Sequence, residues 1–339
     1  MAEWQTRRIQ NPLPARVCRF ESGLGYPPEI LGSPAQRVNR HSSGPEPTCR
    51  FAIAAAFLTG AHRRAYRSPV SDTPDRESID FDDVVRVLGA AGRLELVLVG
   101  GQAVAVWAYH YACAGRLPEL ANEREMFVSK DVDVLTEAAL VLERMSALAR
   151  ELDGTASADE PPPHGAQELA VPALRTAVVS FVDSAGVRRE IDVLGTLYGV
   201  AAEQVLATAA QMTTPTGETA YYQHPVLLVE SRLANCADLP KYQTARGIRQ
   251  AEVSILVLRE FLIDLAHEDA RAARQEVAGV ERMCRSERGL RAFHELGLDP
   301  WPAVSSCVPL LGEGFAKEDY PRRAERIVSA HGAWKARRT

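Results

Sequence analysis

Two adjacent glycines between a buried strand and an apolar helix constrain this fold more than any other feature of the sequence. Residues 94–99 are mostly apolar and predict a strand, which Gly100-Gly101 interrupts. An apolar helix is predicted from Gln102 to about Ala114. A glycine turn at a helix start exposes backbone N–H groups and the positive end of the helix dipole, where phosphate groups bind. The sequence therefore predicts a phosphate site at Gly100 and Gly101, with a tight turn required by packing as the alternative.

The next predicted strand carries two acidic residues that point to the same side. Apolar residues between positions 127 and 135 predict this strand, and side chains along a strand alternate between its two faces. Asp131 and Asp133 therefore share one face while Val132 and Val134 enter the core. Two carboxylates about 7 Å apart along a strand repel each other, and a hard divalent cation relieves that repulsion. The pair predicts a magnesium site, with solvated acidic residues at a strand end as the alternative.

A third acidic residue lies on a later strand of the same style. Residues 176–182 and 187–194 predict a hairpin across a turn of sequence Asp-Ser-Ala-Gly. Within this hairpin Asp192 and Glu190 share one face, and the apolar residues beside them occupy the other. With the earlier pair, Asp192 makes three carboxylates, which are enough to bind two metal ions. Glu190 fits a ligand position and a solvated position equally well.

The order of these elements resembles the DNA polymerase beta-like nucleotidyltransferase superfamily. The similarity is greatest to bacterial nucleotidyltransferase-like proteins that include abortive-infection toxins. Residues 99–103 (Val-Gly-Gly-Gln-Ala) are similar to their glycine motif, and residues 129–133 (Ser-Lys-Asp-Val-Asp) to their Thr-x-Asp-x-Asp strand. Residues 224–241 resemble the helix that follows the third carboxylate. The resemblance covers about residues 80–265.

The resemblance implies a fold and a reaction. The fold is an α+β nucleotidyltransferase fold, a small mixed sheet with flanking helices, followed by a helical C-terminal region. The reaction is transfer of a nucleoside monophosphate from an NTP co-substrate to a hydroxyl group, with release of pyrophosphate and with two Mg²⁺ ions as cofactors. The acceptor stays open between a tRNA end, a protein side chain and a small molecule such as an aminoglycoside.

The resemblance also implies roles for individual residues. Three aspartates are implied as both catalytic residues and metal ligands: Asp131, Asp133 and Asp192. The residues implied to bind the nucleotide are Gly100, Gly101, Ser129, Lys130 and Lys241. In this scheme the two glycines hold the β and γ phosphates, and Asp192 activates the acceptor hydroxyl as a base or as a metal ligand.

Two departures from the family pattern concern the nucleotide contacts. Many relatives carry an arginine four residues before the first aspartate of the pair, where this chain has Phe127. Arg124 or Lys130 would then have to contact the phosphate instead. Toxin relatives carry Lys-Asp after the position of Lys241, where this chain reads Arg-Gly-Ile-Arg-Gln over residues 246–250.

Other polar residues have simpler interpretations. Lys241 fits an ordinary surface lysine as well as a nucleotide contact. Glu230 and Arg232 are predicted to form a helix pair or a structural anchor. His110 and His224 show no metal-ligand spacing.

An alternative function belongs to a different class. The chain would then be a catalytically silent module that binds a nucleotide or a partner, for instance one half of a toxin–antitoxin or defence system with a cognate antitoxin. The presence of all three aspartates favours the enzyme.

The chain is predicted to have three parts. Residues 1–76 contain eleven arginines against six acidic residues and nine of the 21 prolines, which predicts a poorly ordered extension. This extension either contacts RNA or has no role. Residues 77–225 form the predicted catalytic domain, and residues 226–339 the helical C-terminal region.

Composition excludes several other classes of protein. The net charge of −5 argues against a general affinity for nucleic acid. The six cysteines are widely spaced without a Cys-x-x-Cys pair, which favours a reduced, cytoplasmic setting over a disulfide framework or a zinc knuckle. The longest apolar stretch, 96–109, is too short to cross a bilayer, so no membrane partner is expected.

Overall fold

A computed structural model describes Ile79 and residues 81–120, 132–158, 176–214 and 216–338. These residues all belong to one compact unit. The extension predicted over residues 1–76 lies outside the described residues, and so do Arg124, Phe127, Ser129, Lys130 and Asp131.

A mixed sheet of seven strands crosses the described part of the chain. The strands are β1 (Val97–Val99), β2 (Val132–Leu135), β3 (Thr155–Ala158), β4 (Thr176–Val182), β5 (Arg188–Leu194), β6 (Ala210–Thr213) and β7 (Thr219–Tyr222). Their spatial order is β3-β4-β5-β2-β1-β7-β6. The pairs β2–β5 and β1–β7 are parallel, and every other neighbouring pair is antiparallel.

Helices flank this sheet and make up most of the chain after it. The first four are α1 (Phe81–Arg93), α2 (Gly100–Cys113), α3 (Val141–Glu151) and α4 (Ala202–Ala207). The later ones are α5 (Pro225–Asp238), α6 (Ala245–Glu268), α7 (Ala270–Arg285), α8 (Glu287–Leu296), α9 (Pro302–Ser305) and α10 (Tyr320–Ala336). A short 3₁₀ turn, Pro240–Tyr242, joins α5 to α6. The α+β class and the helical C-terminal region are therefore confirmed.

Local sequence signals explain where the later helices begin and end. Pro225 occupies the first turn of α5, where no intrahelical N–H is needed. The side chain of Asp269 caps α7, and that of Ser286 caps α8 by accepting from the Gly289 N–H. The left-handed residue Gly297 (φ +72°) ends α8.

The sheet and the C-terminal helices share one apolar core. Trp107 on α2 is fully buried, and its indole N–H donates to the Gln223 carbonyl at 3.0 Å. Helix α6 packs against both α2 and α5. Arg116, after α2, donates to the Glu260 carboxylate of α6 at 2.9 Å and also to Asp264.

Two strands of the sheet differ from the sequence-based expectation. Three consecutive prolines at 161–163 predict a solvent loop over residues 153–165, but Thr155–Ala158 pairs with β4. The sequence pattern predicts one helix over residues 200–210, but α4 stops at Ala207 and β6 follows. Both β3 and β6 are edge strands of only four residues, and β3 is exposed along its whole length, so neither offers a buried pattern long enough to identify a strand from sequence.

No helix in the described ranges combines the length and the apolar character needed to cross a membrane.

Candidate functional site

Two predicted site residues occupy paired positions on neighbouring strands. Asp133 of β2 is paired in register with Asp192 of β5, and the two strands are parallel. Paired residues point to the same face of a sheet, with their strands about 4.8 Å apart. The neighbours of each aspartate along its strand are buried, whereas both aspartates are half-buried. The fold therefore places two carboxylates side by side on one face.

Gly100 brings the start of α2 against the Asp133 carboxylate. Val99, the last residue of β1, is paired with Asp133. Gly100 has a φ of +73°, and a Cβ at this position would lie only 2.2 Å from Asp133 Oδ2. A side chain here would thus meet both a strained backbone and an occupied volume. The glycine turn places the positive end of a helix dipole next to an acidic residue.

The second glycine faces a polar side chain from α6. A Cβ on Gly101 would lie 2.8 Å from Nε2 of Gln250. The amide oxygen of Gln250 accepts a long hydrogen bond, 3.5 Å, from Nη1 of Arg232 on α5. These contacts bring α5 and α6 to the glycine turn.

Arg232 is a buried cation at this site. Only 6% of the residue is exposed, and its Nε has no hydrogen-bond partner among the described residues. Burial lowers the pKa of Arg232, and the Coulombic influence of Tyr242 and Asp133 partly opposes that change. A buried charge that lacks a full set of partners costs free energy, and an anionic ligand would supply the missing interaction.

Lys241 lies next to the same group of residues. It sits in the 3₁₀ turn after α5, where its side chain is exposed. Its ammonium nitrogen lies 5.0 Å from the centre of the Tyr242 ring, and the Arg232 guanidinium lies 6.0 Å from the same ring. Two cations thus flank one aromatic ring near the glycine turn.

The donor set for a metal ion is acidic and oxygen-rich. Asp133 and Asp192 present the ligand type that Mg²⁺ prefers, at adjacent positions. No group of three His, Cys, Asp or Glu side chains within the described residues is arranged to hold a metal ion. Asp131, the third predicted ligand, lies outside these residues, as do Ser129 and Lys130.

Sequence reasoning missed Arg232 and Gln250 as members of this site. Arg232 was expected to be part of a helix pair or an anchor, and Gln250 received no role. The sequence does contain a signal for Arg232, because it is a charged residue in a mostly apolar helical segment. Nearly all of that helix is buried in the structure. Gln250 lies near the start of α6, and no local pattern distinguishes it.

No protein-family model matches the chain, and no curated protein matches it by sequence.

Proposed function

We propose that this protein is a metal-dependent nucleotidyltransferase, which moves a nucleoside monophosphate from an NTP to a hydroxyl acceptor and releases pyrophosphate. The observation that carries the proposal is the register pairing of Asp133 with Asp192 directly beside Gly100. It joins two potential metal ligands to the start of a helix, where phosphate is favoured.

Asp133 and Asp192, with Asp131 from the same strand sequence, would hold Mg²⁺. Mg²⁺ held there would supply positive charge to stabilise the reacting phosphate oxygens.

The protein's own groups would bind and orient the two substrates. Backbone N–H groups at Gly100 and Gly101 would bind the phosphate chain, and the buried guanidinium of Arg232 would balance its negative charge. The acceptor oxygen forms a bond to the α-phosphorus while the bond to the bridging oxygen of pyrophosphate breaks. The acceptor proton passes to a carboxylate, for which Asp192 is placed beside Asp133.

A labelling experiment tests this function. The full chain is incubated with Mg²⁺, each of the four labelled NTPs in turn, and either total RNA, protein lysate or an aminoglycoside mixture. Label should move to one acceptor class with the wild type and be lost with Asp133→Asn and with Asp192→Asn. Asp153→Asn is the matched control, because Asp153 is exposed and its φ of +52° suits asparagine equally well.

The outcomes separate the two functional classes. Unchanged transfer in both site variants would overturn the metal site. Saturable NTP binding by the wild type without transfer to any acceptor would identify the silent nucleotide-binding module.

A further inference from the structure

A cleft lies on the side of α5 that faces away from the candidate site. Its volume is ≈ 550 Å³, and residues of α4, α5 and α7 line it. Glu230 lines the cleft, whereas Arg232 belongs to the candidate site. Two residues apart on a helix correspond to about 200° of rotation, so these side chains point in nearly opposite directions. The cleft is therefore separate from the site of the proposed reaction.

Two half-buried carboxylates line this cleft. Glu230 comes from α5 and Glu276 from α7. Burial raises the pKa of both; the nearby charge of Arg282 partly opposes this rise in each case, and that of Arg288 also opposes it for Glu230. No hydrogen bond or ion pair to either carboxylate occurs in the part of the chain that the structure describes. Both carboxyl groups are thus partly removed from water without a direct partner among the described residues.

The two glutamates against one arginine leave the cleft with a net charge of −1, and apolar residues form one wall of it. Arg282 is the only Lys or Arg among the described residues that line it, and its side chain is largely exposed. Burial lowers the pKa of His224 to about 4, so its imidazole is neutral at pH 7; the ring lies edge-on to Phe261. Val226, Leu227 and Met283 supply apolar surface.

We propose that this cleft binds an organic cation, an ammonium or guanidinium group carried on a short apolar body. The charged end would lie between Glu230 and Glu276, and the apolar body would cover the wall formed by α5 and α7. A guanidinium fits two carboxylates well because its N–H groups point in several directions in one plane. The volume is in the range of small-molecule sites. This site is independent of the proposed transfer reaction.

Butylguanidinium and its neutral isostere butylurea test the proposal by NMR titration of the full chain. Butylguanidinium should bind saturably, and butylurea at least about tenfold more weakly, because only the cation pairs with the carboxylates. Glu230→Gln and Glu276→Gln should each weaken butylguanidinium binding by about tenfold. Glu287→Gln is the matched control, since Glu287 is exposed on α8 outside the cleft.

Three results would overturn the proposal. They are no saturable binding of butylguanidinium, equal binding of butylurea, and unchanged affinity in both cleft variants. If a variant fails to fold, the comparison of the two ligands on the wild type still decides. The test does not involve NTP, so its failure leaves the proposed transfer reaction untouched.

Discussion

At the scale of single residues, Gly100 combines two constraints that a pair of variants can separate. Gly100→Ala adds a methyl group at a positive φ and against the Asp133 carboxylate, so unfolding free energy should fall by about 1–3 kcal/mol and NTP binding should be lost. Gly115→Ala is the control, because Gly115 has a φ of +70° with nothing within 4 Å. It should lose about 1 kcal/mol from backbone strain alone.

Urea unfolding and NTP titration measure both effects. An equal loss of stability in the two variants, with NTP binding intact in Gly100→Ala, would contradict the close approach of Asp133.

Arg232 gives a second prediction at this scale. Arg232→Met replaces a buried cation with an uncharged side chain of similar length. The free energy of unfolding should therefore change by no more than about 1 kcal/mol. NTP affinity should fall by about tenfold or more because a charged contact to phosphate is lost. Chemical denaturation and NTP titration test this pair of expectations. A loss of several kcal/mol with NTP affinity unchanged would instead identify Arg232 as a structural anchor.

The residues of the site were predictable to different degrees. Asp133, Asp192 and the glycines lie in short local patterns, in which strand alternation or a helix start gives each residue its direction. Arg232 and Gln250 reach the site from helices far along the chain. Their positions depend on how α5 and α6 pack against the glycine turn, and no local pattern encodes that packing.

At the scale of elements, the β4–β5 hairpin depends on one buried ion pair at its turn. The Asp183 carboxylate accepts from the Val187 N–H at 2.7 Å, from the Ala185 N–H at 3.0 Å and from Arg189 Nε at 2.7 Å. Burial alone would raise the pKa of Asp183, but the hydrogen bonds and Arg189 outweigh it, so the pKa is lowered.

Asp183→Asn should therefore cost up to about 3–5 kcal/mol at pH 7, since a neutral amide replaces the charged carboxylate of the buried Asp183–Arg189 ion pair. Because the pKa of Asp183 is lower in the folded state, its contribution is present above the unfolded value of 3.8 and is lost as pH falls through the folded value. Urea unfolding should show that the difference in unfolding free energy between wild type and variant is smaller at acid pH than at pH 7. A difference independent of pH would contradict the ion pair.

The elements that matched the sequence-based expectation are those with strong local signals. The hairpin follows apolar alternation around a turn sequence. The sequence pattern predicts helices over Ala270–Arg285 and Glu287–Leu296, which are the bounds of α7 and α8, and Asp269, Ser286 and Gly297 mark their ends. The edge strands β3 and β6 were missed because they gain their structure by pairing with a neighbour rather than from their own side-chain pattern.

At the scale of the whole molecule, two histidines join the C-terminal helix α10 to α8. Nδ1 of His331 and Nε2 of His294 share a hydrogen bond of 3.1 Å. Burial, Lys335 and Arg338 lower the pKa of His294. Burial, His294 and Lys335 lower that of His331, while Asp299 acts in the opposite direction. Both imidazole rings therefore stay neutral at pH values at which a free histidine is already protonated.

This pair makes stability depend on pH. The folded state binds fewer protons than the unfolded chain between the lowered values and about 6.5, so stability falls as pH decreases through this range. Unfolding in urea at pH 7.5 and 5.5 should show that loss, and His294→Asn should reduce it. His267→Asn is the control, since His267 is exposed. An equal pH dependence of the unfolding free energy in the wild type and in both variants would contradict the role of the pair.

Helix α5 carries Arg232 on one side and Glu230 on the other, so one rigid rod forms a wall of both the candidate site and the cleft. A shift of this rod along its axis displaces both side chains together. If an occupant of the cleft changes the affinity for NTP through such a shift, NTP must change the affinity for that occupant by the same factor. Binding at the candidate site would then be detectable as a change in affinity at the cleft, and binding at the cleft as a change in affinity at the candidate site.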